Sequence, residues 1–248
     1  PMIMENPSSA TIRLFFLTLS LIGLGILSAI LKITILWFIL FAVLCLYFLI
    51  RYHRNIRRAD IILGAVMALT AMVSNPLMGF FVFPGYVAAM AKMRDAQHPI
   101  VLFHHQKQEL WKTIGWILVA GSGLGIFNLG LGLGHLTAAP SFRFIFLFDA
   151  LRAGLFEEIL FRVLLYTICI EVTGGTKLNR VQSFFCLVSM IMPHVLIHFS
   201  GTIDIGSLIV MTLAFGLPFA LLQWKVNLTS AIGAHALVDF IRFLVFGA

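Results

Sequence analysis

The chain has 248 residues, of which 60% are hydrophobic and 11% charged, against about 25% charged in a soluble domain. Together with a mean hydropathy of +1.03, this excludes a soluble globular core, which could not hide so much apolar surface. Apolar stretches of about 20 residues recur, the length that crosses a bilayer as a helix, and they lack the alternation of barrel strands. The expected fold is all-α, a polytopic transmembrane helical bundle with seven or eight spans. The net charge is +7, from 17 Lys/Arg against 10 Asp/Glu. Most basic residues cluster between apolar runs, which points to positive-inside orientation and lipid headgroup contact rather than to nucleic acid. Cys45, Cys169 and Cys186 lie inside apolar runs and read as small buried hydrophobes. The chain opens on Pro1 rather than Met, so its first residues read as a cloning remnant.

In chain order, Leu14–Leu31 is the first expected span. It is longer than a signal-peptide core and is expected to stay. Ile33–Ile50 is the second, joined by a tight turn at Lys32, so the two are expected to form a hairpin. Arg51, Arg54, Arg57 and Arg58 follow, the strongest cytoplasmic mark in the sequence. Ile61–Met90 has two readings. It is one span that violates the charge rule, or two short helices that dip in and return, broken at Asn75-Pro76 or Pro84-Gly85. Thr113–Gly134 is a glycine-rich span in which Gly121/Gly125 and Gly130/Gly134 allow close helix approach. Its Gly-Ser-Gly-Leu-Gly follows no strand and is not a nucleotide loop.

Phe144–Val172 is the fifth helix and carries Asp149, Arg152, Glu157, Glu158 and Arg162. Val181–Phe199 carries His194 and His198, Ile205–Leu222 contains Pro218, and Asn227–Phe246 carries His235, Asp239 and Arg242. The chain reads as one integral membrane domain, with N-terminal helices over 1–138 and a catalytic core over 139–248.

Ionisable groups at membrane depth cost about 2.5–3.5 kcal/mol each on insertion scales. Those read as intramembrane fall in the last hundred residues, which locates the functional half. Glu158 and Arg162 are i, i+4 and can pair. Glu157 lies about 100° away around the helix. It has no local partner there and is a candidate base for activating water. His194 and His198 repeat the i, i+4 spacing, as do His235 and Asp239. Asp239 can orient His235, unless Arg242 claims it. Asp149 and Arg152 are expected to pair. These residue types allow a glutamate–histidine water site or a zinc site. His194-Val-Leu-Ile-His198 is not the His-Glu-x-x-His of zincins. His53, His98, His104 and His105 are expected to be solvated, and His135 interfacial. Asn227-Leu-Thr229 matches a glycosylation sequon at a span start and is disregarded.

At Glu157-Glu-Ile-Leu-Phe-Arg162 the sequence resembles the CAAX protease and bacteriocin-processing family of intramembrane glutamic peptidases. That family includes the type II CAAX prenyl endopeptidases and the Abi proteins. Its Glu-Glu-x-x-x-Arg motif is matched by Glu157, Glu158 and Arg162, and its His-x-x-x-Asn/Asp motif by His235 and Asp239. The Phe-x-x-x-His motif is matched less well: His198 has His194 in the aromatic position, and His194 has Met190. The resemblance covers residues from Ala139 onward. It implies an intramembrane endopeptidase of the prokaryotic cell membrane that cleaves a membrane-anchored protein or peptide without an obligatory cofactor. Glu157 would activate the water, His198 would assist, His235 with Asp239 would stabilise the oxyanion or position the water, and Arg162 would hold Glu158. His198 is favoured over His194 by its interval to His235. Depth argues the other way, since His198 lies about 25 Å along its helix and His235 only about 12 Å along a parallel one. Two alternatives remain: a catalytically silent protein of the same fold, and a proton-coupled transporter, which would show inverted repeats.

Overall fold

The computed structural model describes residues 7–97, 102, 107–132, 140–174 and 177–247. His98, His104, His105, His135, Gly134 and the opening residues lie outside that set. The described residues form an all-helical bundle: α1 (Pro7–Leu31), α2 (Ile35–Arg51), α3 (Arg58–Met72), α4 (Pro76–Asp95), α5 (Lys107–Gly132), α6 (Ile145–Phe156), α7 (Leu165–Val172), α8 (Arg180–Leu196), α9 (Ile205–Met211), α10 (Leu217–Lys225) and α11 (Leu228–Phe246). A π-helical segment, Glu157–Leu164, joins α6 to α7, and another, Thr212–Gly216, joins α9 to α10. The second precedes Pro218, whose missing N–H and ring disturb the bonding of the preceding turn. Among the described residues five helices are long and apolar enough to cross a membrane: Ser9–Leu31, Pro76–Asp95, Lys107–Gly132, Ile205–Lys225 and Leu228–Phe246. Ile35–Arg51 and Arg180–Leu196 are shorter apolar helices. The protein is an integral membrane protein, and its many outward-facing Leu, Ile, Val and Phe side chains suit a lipid solvent.

The turn at Lys32 is tight and has positive φ, but α1 and α2 then part. α1 packs along α8 and α2 along α4. The Ile61–Met90 region is a pair of antiparallel helices that returns to its starting side. Val73–Asn75 turns the chain, Asn75 Oδ1 accepts from the Met78 amide at 3.0 Å, and Pro76 opens α4. The two outer ends meet where Arg94 grips Asp60 with two bonds of 2.9 Å. Both basic flanks therefore lie at one end of the bundle, and no violation of the charge rule is needed.

Side-by-side contacts fix the remaining directions. α1 and α8 run parallel, with Thr11 bonded to Gln182 and Thr18 to Ser189. α5 and α11 run parallel: Asn227 Nδ2 donates to Thr113 Oγ1 at 2.7 Å, Gly121 lies against Leu237, and Gly125 lies against Ile241. Gly130 faces open space. α6 runs antiparallel to α11, with Phe146 beside Phe243. Among the described residues one end thus gathers Arg51 to Arg58, Lys92, Arg94, Lys107, Lys112, Lys177, Arg180 and Lys225, and the other holds only Lys32, Arg143, Arg152 and Arg242. At the basic end Lys92, 5% exposed, meets Glu171 at 2.6 Å, and the Tyr47 and Tyr52 hydroxyls donate to the same carboxylate. This second buried charge cluster ties α2, α4 and α7 together and did not emerge from the sequence.

Asp149 and Arg152 do not pair: Asp149 accepts from Ser74, and Arg152 reaches Met78 Sδ. The two side chains project from successive turns toward different parts of the α3–α4 pair. Cys45, Cys169 and Cys186 are free and buried, and His53 is exposed and bonded to the Ile50 carbonyl. Asn227 is buried as the cap of α11, its Oδ1 taking the Ser230 amide.

Gly154 makes the α6–α11 crossing possible. A Cβ there would stand 2.8 Å from the Ile232 carbonyl oxygen and 3.3 Å from the Ala236 amide. Gly154→Ala should therefore cost about 1–3 kcal/mol in detergent denaturation. Gly123→Ala, where nothing lies within 4 Å, should be neutral or mildly stabilising.

Candidate active site

The first π segment carries Glu157, Glu158 and Arg162, all buried. π-helical turns inside α-helices are frequent at functional sites, and here the segment sends its two carboxylates to different neighbours. Glu158 and Arg162 pair as the spacing predicts. The same Glu158 Oε1 also accepts from His235 Nδ1 at 2.6 Å. Glu158, not Asp239, therefore orients the His235 ring. Asp239 Oδ2 stands 3.6 Å from His235 Nε2, on the far side of the imidazole, and among the described residues Arg242 forms no ion pair with it.

Glu157 is not isolated. His194 Nε2 donates to Glu157 Oε2 at 2.5 Å, while Arg162 Nη2 donates to His194 Nδ1 at 3.0 Å. Because arginine only donates, Nδ1 accepts and the proton sits on Nε2. His235 Nε2 lies 3.5 Å and His198 Nε2 3.7 Å from Glu157 Oε2. Those gaps are long for a direct bond and short enough for one bridging water. The His194 side chain is 4% exposed and that of His198 38%.

The depth conflict has a structural answer. Asn227 bonds Thr113, which lies six residues inside α5, so α11 begins about 9 Å below the end of its parallel neighbour. His235 is deeper than its position in its own helix suggests. α8 also ends at Leu196, which leaves His198 in the turn beyond.

Phe219, missed by the sequence reading, forms one wall. Its ring stacks on His235 at 4.7 Å with 5° between planes, and the Arg162 guanidinium lies over it at 5.6 Å. Its place beside Pro218, on a helix whose one charge is the terminal Lys225, gave no signal. A cavity of about 310 Å³ opens onto His194, His198, His235 and Asp239, with Asn128, Phe215 and Arg242 farther out. Glu157, His194 and His198 also offer three donor atoms within 4.8 Å of one another.

Removing the Glu158 charge should uncouple this assembly. Glu158→Gln strands Arg162 in an apolar setting, so stability should fall on the order of 3 kcal/mol in detergent denaturation. Glu157→Gln, whose partners are imidazoles, should lose clearly less.

Residues 139–241 match the family described as type II CAAX prenyl endopeptidase Rce1-like. A search of curated proteins finds no match, and a search of solved structures finds none. The matched stretch contains every residue of the Glu157–Glu158–Arg162, His194–His198 and His235–Asp239 sets. The part of the chain that carries the site is therefore similar to the Rce1-like type II CAAX prenyl endopeptidase family.

Proposed function

We propose that the protein is an intramembrane endopeptidase that hydrolyses a peptide bond in a membrane-anchored protein or peptide, with Glu157 as the base. The observation that carries this reading is the convergence of His198 Nε2 and His235 Nε2 on Glu157 Oε2 at 3.7 and 3.5 Å beside an open cavity. A water held among these three groups gives its proton to Glu157 as its oxygen attacks the scissile carbonyl carbon. The resulting oxyanion takes a hydrogen bond from His198, and from His235 Nε2 when that ring is doubly protonated, and the proton passes from Glu157 to the leaving nitrogen. The C–N bond then breaks to leave a carboxylic acid and an amine. Glu158 holds His235 through Nδ1, and Arg162 holds Glu158 and His194. His194, engaged at both ring nitrogens, positions Glu157 rather than exchanging protons.

A zinc-dependent variant is the second reading, since Glu157, His194 and His198 form a plausible donor set. Two ligands on one tetrahedral zinc lie about 3.3 Å apart, whereas Glu157 and His194 are bonded at 2.5 Å. The pair is arranged as hydrogen-bond partners, which favours the glutamate–histidine water site. Purified protein in proteoliposomes with membrane-anchored fluorogenic peptides separates the readings. Wild-type cleavage should survive a membrane-permeant chelator, and Glu157→Gln should lower it by about 10³-fold while remaining folded. Undiminished cleavage by that variant would sink the mechanism, and chelator loss restored by stoichiometric zinc would select the metal reading.

The two histidines on α8 should separate by readout. His198→Ala should reduce kcat by about 10²-fold or more with little change in melting temperature. His194→Ala should lower both, because it leaves Arg162 and Glu157 short of a buried partner. The reverse pattern would exchange their roles.

A further inference from the structure

The sequence leaves open the side from which the substrate reaches the site, and the architecture decides it. Phe219 and His235 line the inner part of the cavity, and its outer part is lined near the Lys/Arg-poor end of the bundle. Asn128 lies in the last turns of α5, Phe215 in the π segment soon after α9 enters, His198 just past α8, and Arg242 in the last turns of α11. The opposite end holds the arginine run Arg51 to Arg58, the start of α5 and the turn before α8. Cytoplasmic ends of membrane proteins carry the excess of Lys and Arg. Glu157 lies on the first part of a rod that enters from the Lys/Arg-poor end and finishes at the basic end, where Glu171 meets Lys92.

We propose that the cavity opens to the non-cytoplasmic face of the membrane and takes an exported, membrane-anchored polypeptide whose scissile segment lies on that face. The substrate assignment rests on the protease reading above; the direction of opening does not. Two groups at the outer part of the cavity fit a polar chain segment. Asn128 is an amide in the apolar last turns of α5, and Arg242 is the outermost charge on the His235–Asp239 face. Among the described residues neither has a hydrogen-bond or ion-pair partner. A polar amide inside an apolar span is costly where it faces lipid, and one that faces a water-filled cavity is not.

Thiol labelling tests the direction without any need for activity, because the native cysteines are buried. The full chain is expressed in bacterial cells as single variants: Thr202→Cys at the Lys/Arg-poor end, Arg54→Cys at the basic end, Asn128→Cys in the cavity, and Ile126→Cys on the outward face of α5, 66% exposed in the isolated bundle. A membrane-impermeant maleimide added to intact cells should label Thr202→Cys and Asn128→Cys. Arg54→Cys should react only after permeabilisation. Ile126→Cys should react about tenfold more slowly than Asn128→Cys, because a thiol in lipid stays protonated. Labelling of Asn128→Cys only after permeabilisation overturns the proposal. Equal labelling of Ile126→Cys and Asn128→Cys also overturns it, since access would then not run through the cavity. Loss of cleavage chemistry in the Glu157 experiment leaves these labelling results unchanged, so the two readings fail separately.

Discussion

The buried carboxylate of Glu158 is the interaction on which the site depends. Its Oε1 accepts from Arg162 on its own helical segment and from His235 on α11. Arg162 in turn spends its second terminal nitrogen on His194 of α8 and lays its guanidinium plane over Phe219 of α10. One fully buried arginine–glutamate pair thus reaches three other helices. A charge at this depth is tolerable only when paired and hydrogen-bonded. That requirement makes the geometry specific: any shift of α8, α10 or α11 leaves a charged or polar group short of a partner. Preorganisation of Glu157 and the histidines follows from the demand to satisfy Arg162 and Glu158.

Helix crossings supply the approach that these bonds need. Gly154 lets α6 lie against the α11 backbone one turn before the glutamates. Gly216 lets the α9–α10 rod reach α8, where a Cβ would meet Ile191 at 2.7 Å. Gly121 and Gly125 seat α11 on α5 through Leu237 and Ile241. Without an aqueous hydrophobic effect between helices, close packing of this kind drives association in a membrane. The glycines therefore serve association and the geometry of the site together, and the depth at which α11 starts is set by the same α5–α11 contact.

Much of this was legible in the sequence. Composition and apolar run length gave the all-helical membrane fold, because lipid leaves a chain few other ways to satisfy its backbone. The i, i+4 spacing of Glu158 and Arg162 gave their pairing, since both lie on one helical segment. Contacts between helices were not legible. The Glu158–His235 bond, the Phe219 stack and the Lys92–Glu171 clamp each join distant segments, and periodicity within one helix says nothing of which partner it meets. Asp149 and Arg152 show the reverse failure, where a correct local spacing lost to tertiary partners on α3–α4. The depth conflict arose from assuming that parallel helices start level, whereas the buried Asn227–Thr113 bond places the start of α11 inside the bundle.

The rod made of α6, the π segment and α7 carries acidic groups at three levels: Asp149, bonded by Ser74, the Glu157–Glu158 pair, and Glu171; a cation answers each of the last two. Arg162 holds Glu158 in the interior, and Lys92, reaching over from α4, holds Glu171 at the basic end. A helical rod pinned at two levels cannot slide along its axis or turn about it without breaking one of the two pairs. Glu157 has no cation of its own in direct contact; its partners are imidazoles, which can give and receive protons. The rod's fixed charges thus provide rigidity, while the carboxylate left to the histidines faces the cavity. That division places permanent ion pairs where position matters and exchangeable protons where the proposed mechanism puts the reacting water.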